Sequence, residues 1–415
     1  MNRAVTRAAS WALGFGYAVV WAIAGWLWTV PPNDLDNFFL PAVRIALGGH
    51  PLLIYTVRYW AIIANDNGPL GLVPLTPVVA LASRLGWMDD VGLRRLLILG
   101  VFSIFSLLMA REAVAAIDRL RGARLEGLSR VLAYGVFVAS PTLWMSVLGY
   151  GHIEQPMTLW LVLLGVRSLG NGRFAAAGIT FGLAILTRSL AALSLLPLGL
   201  LLLAKGRWRA VAWLAGSATL TVALGVLPFL LADPTDTIYS LVTHRGSLPV
   251  GGGNPWQLFV GTPYLWVPQH WDVLFVLGFS ALLSLIVIVG RKDLGPSSRD
   301  IYGLLALTAL TLPLLAKSVW PYYFLDAYVL GAVWWLGQTG ALAWGRRLIG
   351  AAIPLIAIIG TLLTEYEMEA TAQRVRLDEG VAMGVILSVL AVALVIRLRR
   401  QEPGSERRQS LSSTP

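Results

Sequence analysis

Long apolar stretches separated by short charged segments are the main pattern along this chain. The longer stretches run for about 20 residues, and at 1.5 Å per helical residue they cross a hydrocarbon core of ~30 Å. The pattern predicts an all-α polytopic membrane protein with about twelve transmembrane helices. They are predicted near residues 11–30, 93–113, 131–148, 156–169, 174–187, 189–204, 209–231, 272–290, 300–316, 322–338, 348–364 and 381–397.

Basic residues between the stretches predict the orientation of the helices. Most of the 32 Lys and Arg residues fall in alternate segments, beginning with Arg3 and Arg7 before the first helix. Because cytoplasmic loops carry an excess of Lys and Arg, both termini are predicted to be cytoplasmic, in a plasma-membrane protein. The apolar segment 69–86 is predicted not to span, since a span there would place the arginine-rich loop 111–130 outside.

Two outer loops are expected to form the active face. The first, residues 31–92, is predicted to hold two amphipathic helices on the membrane surface, near 36–47 and 69–86, with Gly48 and Gly49 closing the former. The second covers residues 232–271. We expect residues 1–400 to form a single membrane domain and residues 401–415 to form a disordered cytoplasmic tail.

Composition excludes several functions. The chain is 57% hydrophobic and 13% charged, about half the charge of a soluble domain. Without cysteine it has no disulfide or thiolate chemistry. The net charge of +10 is spread along the loops, so no nucleic-acid partner is predicted. The sequence has no phosphate-binding loop, HExxH or GxSxG motif.

Asp34 and Asp36 are the first candidates for chemistry, because they follow the first membrane helix at the outer boundary. Two interpretations are open. In the first, one of the two aspartates is a general base for a hydroxyl nucleophile. In the second, they have no catalytic role and are a helix-end cap and a solvated loop charge. Asp36, where the amphipathic helix begins, suits an N-cap.

Further candidates lie in the other outer segments. His152 and Glu154 lie in a short loop, where they could bind a sugar hydroxyl, a phosphate or a metal, or cap the helix that starts at Pro156. Arg188, between two short helices, is predicted below the outer surface, with a lipid phosphate or a carboxylate as its partner. The weaker candidates are His244, Arg245 and Lys317, which are equally consistent with ordinary loop charges, and Tyr322, which could stack on a sugar ring but for which an aromatic belt is favoured.

The order of these motifs resembles the GT-C superfamily of membrane glycosyltransferases, with glycosyltransferase family 87, the polyprenol-phosphate-mannose-dependent mannosyltransferases, as the most similar branch. The resemblance covers roughly residues 10–335. Its residues are Asp34 with Gly48, His50-Pro51, Tyr55, Gly68-Pro69-Leu70, Gly151-His152, Thr187-Arg188-Ser189, Arg245 with Asn254, and Trp320-Pro321-Tyr322-Tyr323.

The resemblance implies a GT-C fold and transfer of a sugar, with mannose favoured, from a polyprenyl-phosphate donor. Asp34 would take the proton of an acceptor hydroxyl, which attacks the anomeric carbon and inverts it. Arg188 would hold the phosphate with His244, Arg245 or Lys317, while His152 and Glu154 would contact sugar hydroxyls. The acceptor would be a glycan, glycolipid or protein. No cofactor is required, and a divalent metal is not expected.

Two other classes of protein fit the same pattern. A multi-pass transporter or flippase of a lipid-linked or small polar substrate would also have many helices, a buried arginine and an outer cavity. The absence of an internal inverted repeat in the sequence disfavours it. A non-catalytic membrane scaffold would leave the outer acid and cations unexplained.

Overall fold

The computed structural model describes residues 3–27, 34–56, 67–244, 250, 255–291, 293–317, 321–338 and 376–400, which form helices and turns with no strand among them. The α-helices are α1 (Arg3–Leu27), α2 (Leu40–Leu47), α3 (Pro69–Leu72), α4 (Leu75–Arg84), α5 (Val91–Arg121), α6 (Gly127–Val138), α7 (Pro141–Trp144), α8 (Gln155–Gly170), α9 (Phe174–Thr187), α10 (Leu195–Ala204), α11 (Trp208–Ala232), α12 (Pro234–Ile238), α13 (Trp266–Gly290), α14 (Asp300–Leu315), α15 (Phe324–Leu336) and α16 (Arg376–Arg400). The remaining described helical turns are π-helical at Leu35–Phe39, Met145–Gly149 and Tyr239–Thr243, and 3-10 at Ser189–Ser194, Pro255–Phe259 and Pro321–Tyr323.

The all-helical architecture predicted from the sequence is confirmed for the described residues. Each predicted helix coincides with a helix, except 348–364, which lies outside the described residues along with the tail 401–415. Four described segments are long and apolar enough to cross a membrane: α5, Gly127–Gly149, α11 and α13. The total of about twelve spans, the position of both termini and the side of each loop stay predictions.

The faces of α11 and α13 that point away from the rest of the protein are apolar, where those of a water-soluble protein would be polar. Exposed side chains there include Leu220, Leu224, Val273, Leu277 and Leu282. Contiguous exposed apolar surface of this kind fits contact with lipid acyl chains. The structure therefore supports a membrane protein.

Small residues set the close packing of the helices. A Cβ on Gly178 of α9 would lie 2.3 Å from the carbonyl oxygen of Leu214 in α11, and a Cβ on Gly25 of α1 would lie 3.0 Å from that of Arg95 in α5. Only glycine permits these approaches, which bring backbones together without a hydrophobic driving force. They fix the positions of the helices whose ends carry the candidate residues.

The described part of the first predicted outer loop forms two short helical segments, as its sequence indicates. Residues Leu35–Leu47 are helical, with a π-helical first turn, and end at Gly48, with Gly49 at φ 91°. The second segment, Pro69–Arg84, is split into α3 and α4 and is shorter than the helices that satisfy the length needed to span. Leu75, Val79 and Ala82 of α4 are fully buried.

The predicted loop 111–130 is mostly helix, which corrects the interpretation of the basic segment. Helix α5 continues to Arg121 and ends at Gly122, whose φ of 66° is the left-handed conformation of a helix C-cap. Residues 111–121 favour helix because they are rich in Ala and Arg. Arg119 and Arg167 both contact Glu112, at 2.8 and 3.4 Å, and tie α5 to α8.

Candidate active site

Asp34 is fixed against the loop that carries His152. Its backbone N–H donates to the carbonyl oxygen of Tyr150 at 3.0 Å. One carboxylate oxygen lies 2.8 Å from Nε2 of His152, and 29% of the side chain is exposed. Asp34 is thus a partly solvated carboxylate whose backbone and side chain are both held by the same loop.

His152 lies between two carboxylates. The loop turns at Gly151, with φ 76°, and the His152 N–H donates to the Ser146 carbonyl at 3.0 Å. Ring atom Nδ1 lies 2.8 Å from Oε1 of Glu154. The contact of Nε2 with Asp34 is as short but lacks the alignment of a hydrogen bond, so it acts mainly through charge.

The charge on His152 follows from these neighbours. Burial disfavours the imidazolium, but the Coulombic attraction of Glu154 and then of Asp34 outweighs it and raises the pKa of His152 to about 9. His152 lies in the loop between the second π-helical turn and α8, outside the membrane-spanning helices. At neutral pH it is therefore a cation that lies between the two carboxyl groups.

Arg188 occupies the break between α9 and the following 3-10 turn, as predicted for a buried cation. It is 5% exposed, and one guanidinium nitrogen, Nη1, lies 4.0 Å from Oε1 of Glu154. The guanidinium also covers the rings of Tyr322 and Tyr323, at 4.9 and 5.7 Å from their centroids. Cation–π contact and the Glu154 charge together stabilise an arginine removed from water.

Asp34, His152, Glu154 and Arg188 thus form a row of neighbouring side chains, and the polar atoms of this row are incompletely paired. Oε2 of Glu154 and Nη1 of Arg188 are buried without a hydrogen-bond partner among the described residues. Leaving a buried charged group unpaired is unfavourable by about 1–3 kcal/mol or more. Such atoms are typical of a site that is completed by a ligand or water.

Glycines position the Arg188 segment. A Cβ on Gly68 would lie 2.0 Å from the Leu186 carbonyl oxygen, and one on Gly71 would lie 3.3 Å from the Glu154 side chain. The first outer loop thus packs directly on the end of α9. It also contacts the second outer loop, since Ser240 donates to the Tyr55 carbonyl at 3.2 Å.

Gln155 and Asp326 complete the row, and the sequence analysis did not identify them. Gln155 Nε2 donates to the Tyr322 carbonyl at 2.8 Å and to the Asp326 carboxylate at 2.9 Å, while Ser146 donates to Gln155 Oε1 at 2.5 Å. Asp326 also adds a second negative charge near Arg188. An acidic residue in the apolar segment 322–338 was the signal that could have revealed Asp326.

Asp36 has a different environment from Asp34. Its two oxygens lie 2.7 and 2.6 Å from the guanidinium groups of Arg94 and Arg95, and its side chain is 8% exposed. The expectation of an N-cap is wrong, because Asp36 lies inside the π-helical turn Leu35–Phe39. It ties the first outer loop to the beginning of α5.

The remaining candidates divide into three groups. Tyr322 joins the row, with its ring 3.8 Å from that of His152. Lys317 is 1% exposed and donates from Nζ to the Gln269 carbonyl, while its backbone N–H donates to Asp272. His244 ends the third π-helical turn, 5.8 Å from the Tyr239 ring, and Arg245 lies outside the described residues.

No cluster of three or more His, Cys, Asp or Glu that could hold a metal ion occurs among the described residues. The close acids of the row are separated by the cation His152, which contacts both Asp34 and Glu154. Metal dependence stays a prediction.

Comparison with known proteins identifies the fold. Neither a family model nor a curated protein matches the chain. Among solved structures it is similar to ArnT from Cupriavidus metallidurans, crystallised bound to undecaprenyl phosphate. The likeness has a TM-score of 0.52 at 16% identity and covers 96% of this chain and 73% of ArnT. The chain therefore has an ArnT-like fold.

Proposed function

We propose that this chain transfers a sugar from a polyprenyl-phosphate donor to an acceptor hydroxyl at the outer face of the membrane. The observation that carries the proposal is the row Asp34–His152–Glu154–Arg188, which combines a partly exposed carboxylate and two buried cations. The ArnT-like fold supports it, because that neighbour was crystallised with a lipid phosphate. Mannose as the sugar, inversion, and membership of family 87 rest on the sequence resemblance.

Asp34 is the proposed general base. It is the most exposed member of the row, and the imidazolium of His152 beside one oxygen leaves the other free to face an acceptor hydroxyl. In the reaction, the acceptor oxygen bonds to the anomeric carbon and the bond from that carbon to the phosphate oxygen breaks. The hydroxyl proton passes to Asp34, and polyprenyl phosphate leaves.

Arg188 is the proposed cation for the departing phosphate. Its unpaired Nη1 can donate to a phosphate oxygen, and a charge-assisted bond of this kind is about twice as strong as a neutral one. The leaving group is already a good one, so it needs electrostatic stabilisation more than a general acid. The further contacts proposed for His244, Arg245 and Lys317 would supplement Arg188.

Glu154 has a supporting role in this proposal. Its side chain has no exposed surface, and one oxygen faces both His152 and Arg188. A carboxylate in that position orients the two cations. The sugar-hydroxyl contacts expected of His152 and Glu154 would then come mainly from His152, whose side chain is 6% exposed, and from the adjacent Tyr322 ring.

A transfer assay tests the proposal. Purified protein in proteoliposomes would receive polyprenyl-phosphate-[¹⁴C]mannose and a synthetic mannoside acceptor, with Arg188→Gln as the variant and exposed Arg173→Gln as its control. We expect labelled disaccharide and free polyprenyl phosphate from the wild type and the control, and at least tenfold less from Arg188→Gln.

Other outcomes separate the alternatives. Donor that crosses the bilayer intact, without a labelled product, would indicate a flippase and contradict the proposal. Transfer that proceeds with another sugar but not with mannose would contradict only the mannose assignment. Equal activity of Arg188→Gln and the wild type would remove Arg188 from the donor site.

A further inference from the structure

A mostly apolar groove lies between α14, α15 and α16, outside the row at the active site. Small side chains on all three helices shape it, including Ala306, Gly331 and Ala393. A Cβ on Gly331 would lie 3.7 Å from that of Ala306, so the two helices are close at the base of the groove. The walls suit a flexible hydrocarbon chain.

A cation lies at one end of the groove. The guanidinium carbon of Arg397 lies 4.0 Å from the centroid of the Trp335 ring, and its Nη2 donates to Oε1 of Gln338 at 3.4 Å. Arg299 lies near enough to act on Arg397 through charge, but it is itself paired with Asp300 at 3.6 Å. Tryptophan and arginine together at the end of a membrane helix are typical of the headgroup region.

The nearest acid, Asp300, pairs with arginines other than Arg397. It lies 3.0 Å from Arg291 and 3.6 Å from Arg299, and it accepts from Nε1 of Trp334 at 2.9 Å. Arg397 forms no ion pair with any carboxylate in the described ranges. The groove end is therefore positively charged and suits an anionic group.

The length of the groove matches one leaflet. It extends along α15 from Phe324 to Trp335. At 1.5 Å per residue this is roughly 16 Å, about half of a hydrocarbon core of ~30 Å. A single acyl chain of a phospholipid would fill that length.

We propose that this groove binds an anionic phospholipid, with its phosphate on Arg397 and one acyl chain between α14, α15 and α16. A polyprenyl tail that entered from the active-site end, near Phe324, would bring hydrocarbon against the guanidinium. A headgroup at Arg397 avoids that mismatch, and basic pockets between membrane helices commonly bind anionic lipid headgroups. The leaflet is the one predicted to be cytoplasmic.

Fluorescence quenching tests the proposal. Full-length protein in nanodiscs would contain trace phosphatidylglycerol or phosphatidylcholine with dibrominated acyl chains, which quench nearby tryptophan. Because the chain has 17 tryptophans, the fluorescence of Trp335 in the groove is taken as the difference between the wild type and Trp335→Phe. We expect that part to be quenched at least threefold more by the brominated phosphatidylglycerol.

Variants separate the headgroup from the chain. Arg397→Gln should abolish the preference, exposed Arg173→Gln should retain it, and Ala393→Leu should reduce quenching by both lipids by filling the groove. Each variant must first elute as a single species in size-exclusion chromatography. Equal quenching by both lipids, no quenching of the Trp335 signal, or a preference retained in Arg397→Gln would overturn the proposal. Displacement by undecaprenyl phosphate in preference to phosphatidylglycerol would also overturn it, by assigning the groove to a polyprenyl chain.

Discussion

The charge state of His152 gives a prediction that does not depend on the identity of the substrate. Its pKa is raised from 6.5 to about 9, because the attractions of Glu154 and Asp34 together outweigh the opposing effect of burial. This difference corresponds to roughly 3.5 kcal/mol at most, from about 1.4 kcal/mol per pH unit. The stabilisation is fully present below pH 6.5 and is lost as the pH rises through about 9.

Replacement of Glu154 by Gln should remove the largest attraction that keeps His152 protonated. Burial then lowers the pKa of His152, so the variant should lose this stabilisation at a lower pH than the wild type. Exposed Glu126→Gln is the matched control. For a chain of this size, roughly 3.5 kcal/mol corresponds to a shift of the melting midpoint on the order of 4 °C.

Differential scanning fluorimetry in detergent from pH 6 to pH 10 measures this effect. The melting midpoint of the wild type minus that of His152→Gln should decrease as the pH rises from 6.5 to about 9, since the variant has no titratable side chain at position 152. The melting midpoint of Glu154→Gln minus that of His152→Gln should already be small at pH 8. A wild-type difference that stays constant to pH 10 would refute the assignment of a protonated His152 between two carboxylates.

Three further predictions concern the supports of the row. Asp36→Asn should lower the free energy of unfolding by about 3 kcal/mol because it leaves Arg94 and Arg95 without their carboxylate. The control Asp89→Asn, at an exposed position, should change it little, and equal melting midpoints of Asp36→Asn and the wild type would contradict the structural role. Gly68→Ala should lower the yield of folded protein, since its Cβ would lie 2.0 Å from the Leu186 carbonyl oxygen, whereas Gly216→Ala, in open space, should not. A normal yield of Gly68→Ala would show that the two backbones are not packed this closely. Asp326→Asn keeps a side chain of equal size but weakens the support of Gln155 and Arg188, so it should raise the donor KM at least threefold. Its melting midpoint should stay near that of the wild type, and an unchanged KM would exclude this role.

The sequence predicts the helices and the polar residues at their ends well, because both depend on local patterns. An apolar stretch of about 20 residues predicts a helix from its own residues. Asp34 and Arg188 are conspicuous because a charge at the end of such a stretch is unfavourable without a partner. Their placement in one row is consistent with these interpretations.

Long-range partners lie beyond local patterns. The ion pairs of Asp36 join residues almost 60 positions apart, and the bond between Gln155 and Asp326 spans 171 positions. Neither pair leaves a periodic signal in the sequence. The distinction between Asp34 and Asp36 therefore needs the folded chain, which places one beside His152 and the other between two arginines.

The rate of sugar transfer by Asp34→Asn tests the central claim most directly. Asn keeps the size of the side chain but cannot take the proton of the acceptor hydroxyl, and a general base contributes about 10²–10⁴-fold in rate. Asp34→Asn should therefore slow transfer from polyprenyl-phosphate-mannose by at least a hundredfold, with expression and donor binding retained. Asp36→Asn, assayed at a temperature where it stays folded, should retain more activity. A rate within tenfold of the wild type in Asp34→Asn would contradict the proposed mechanism, and a larger loss in Asp36→Asn than in Asp34→Asn would move the base to Asp36.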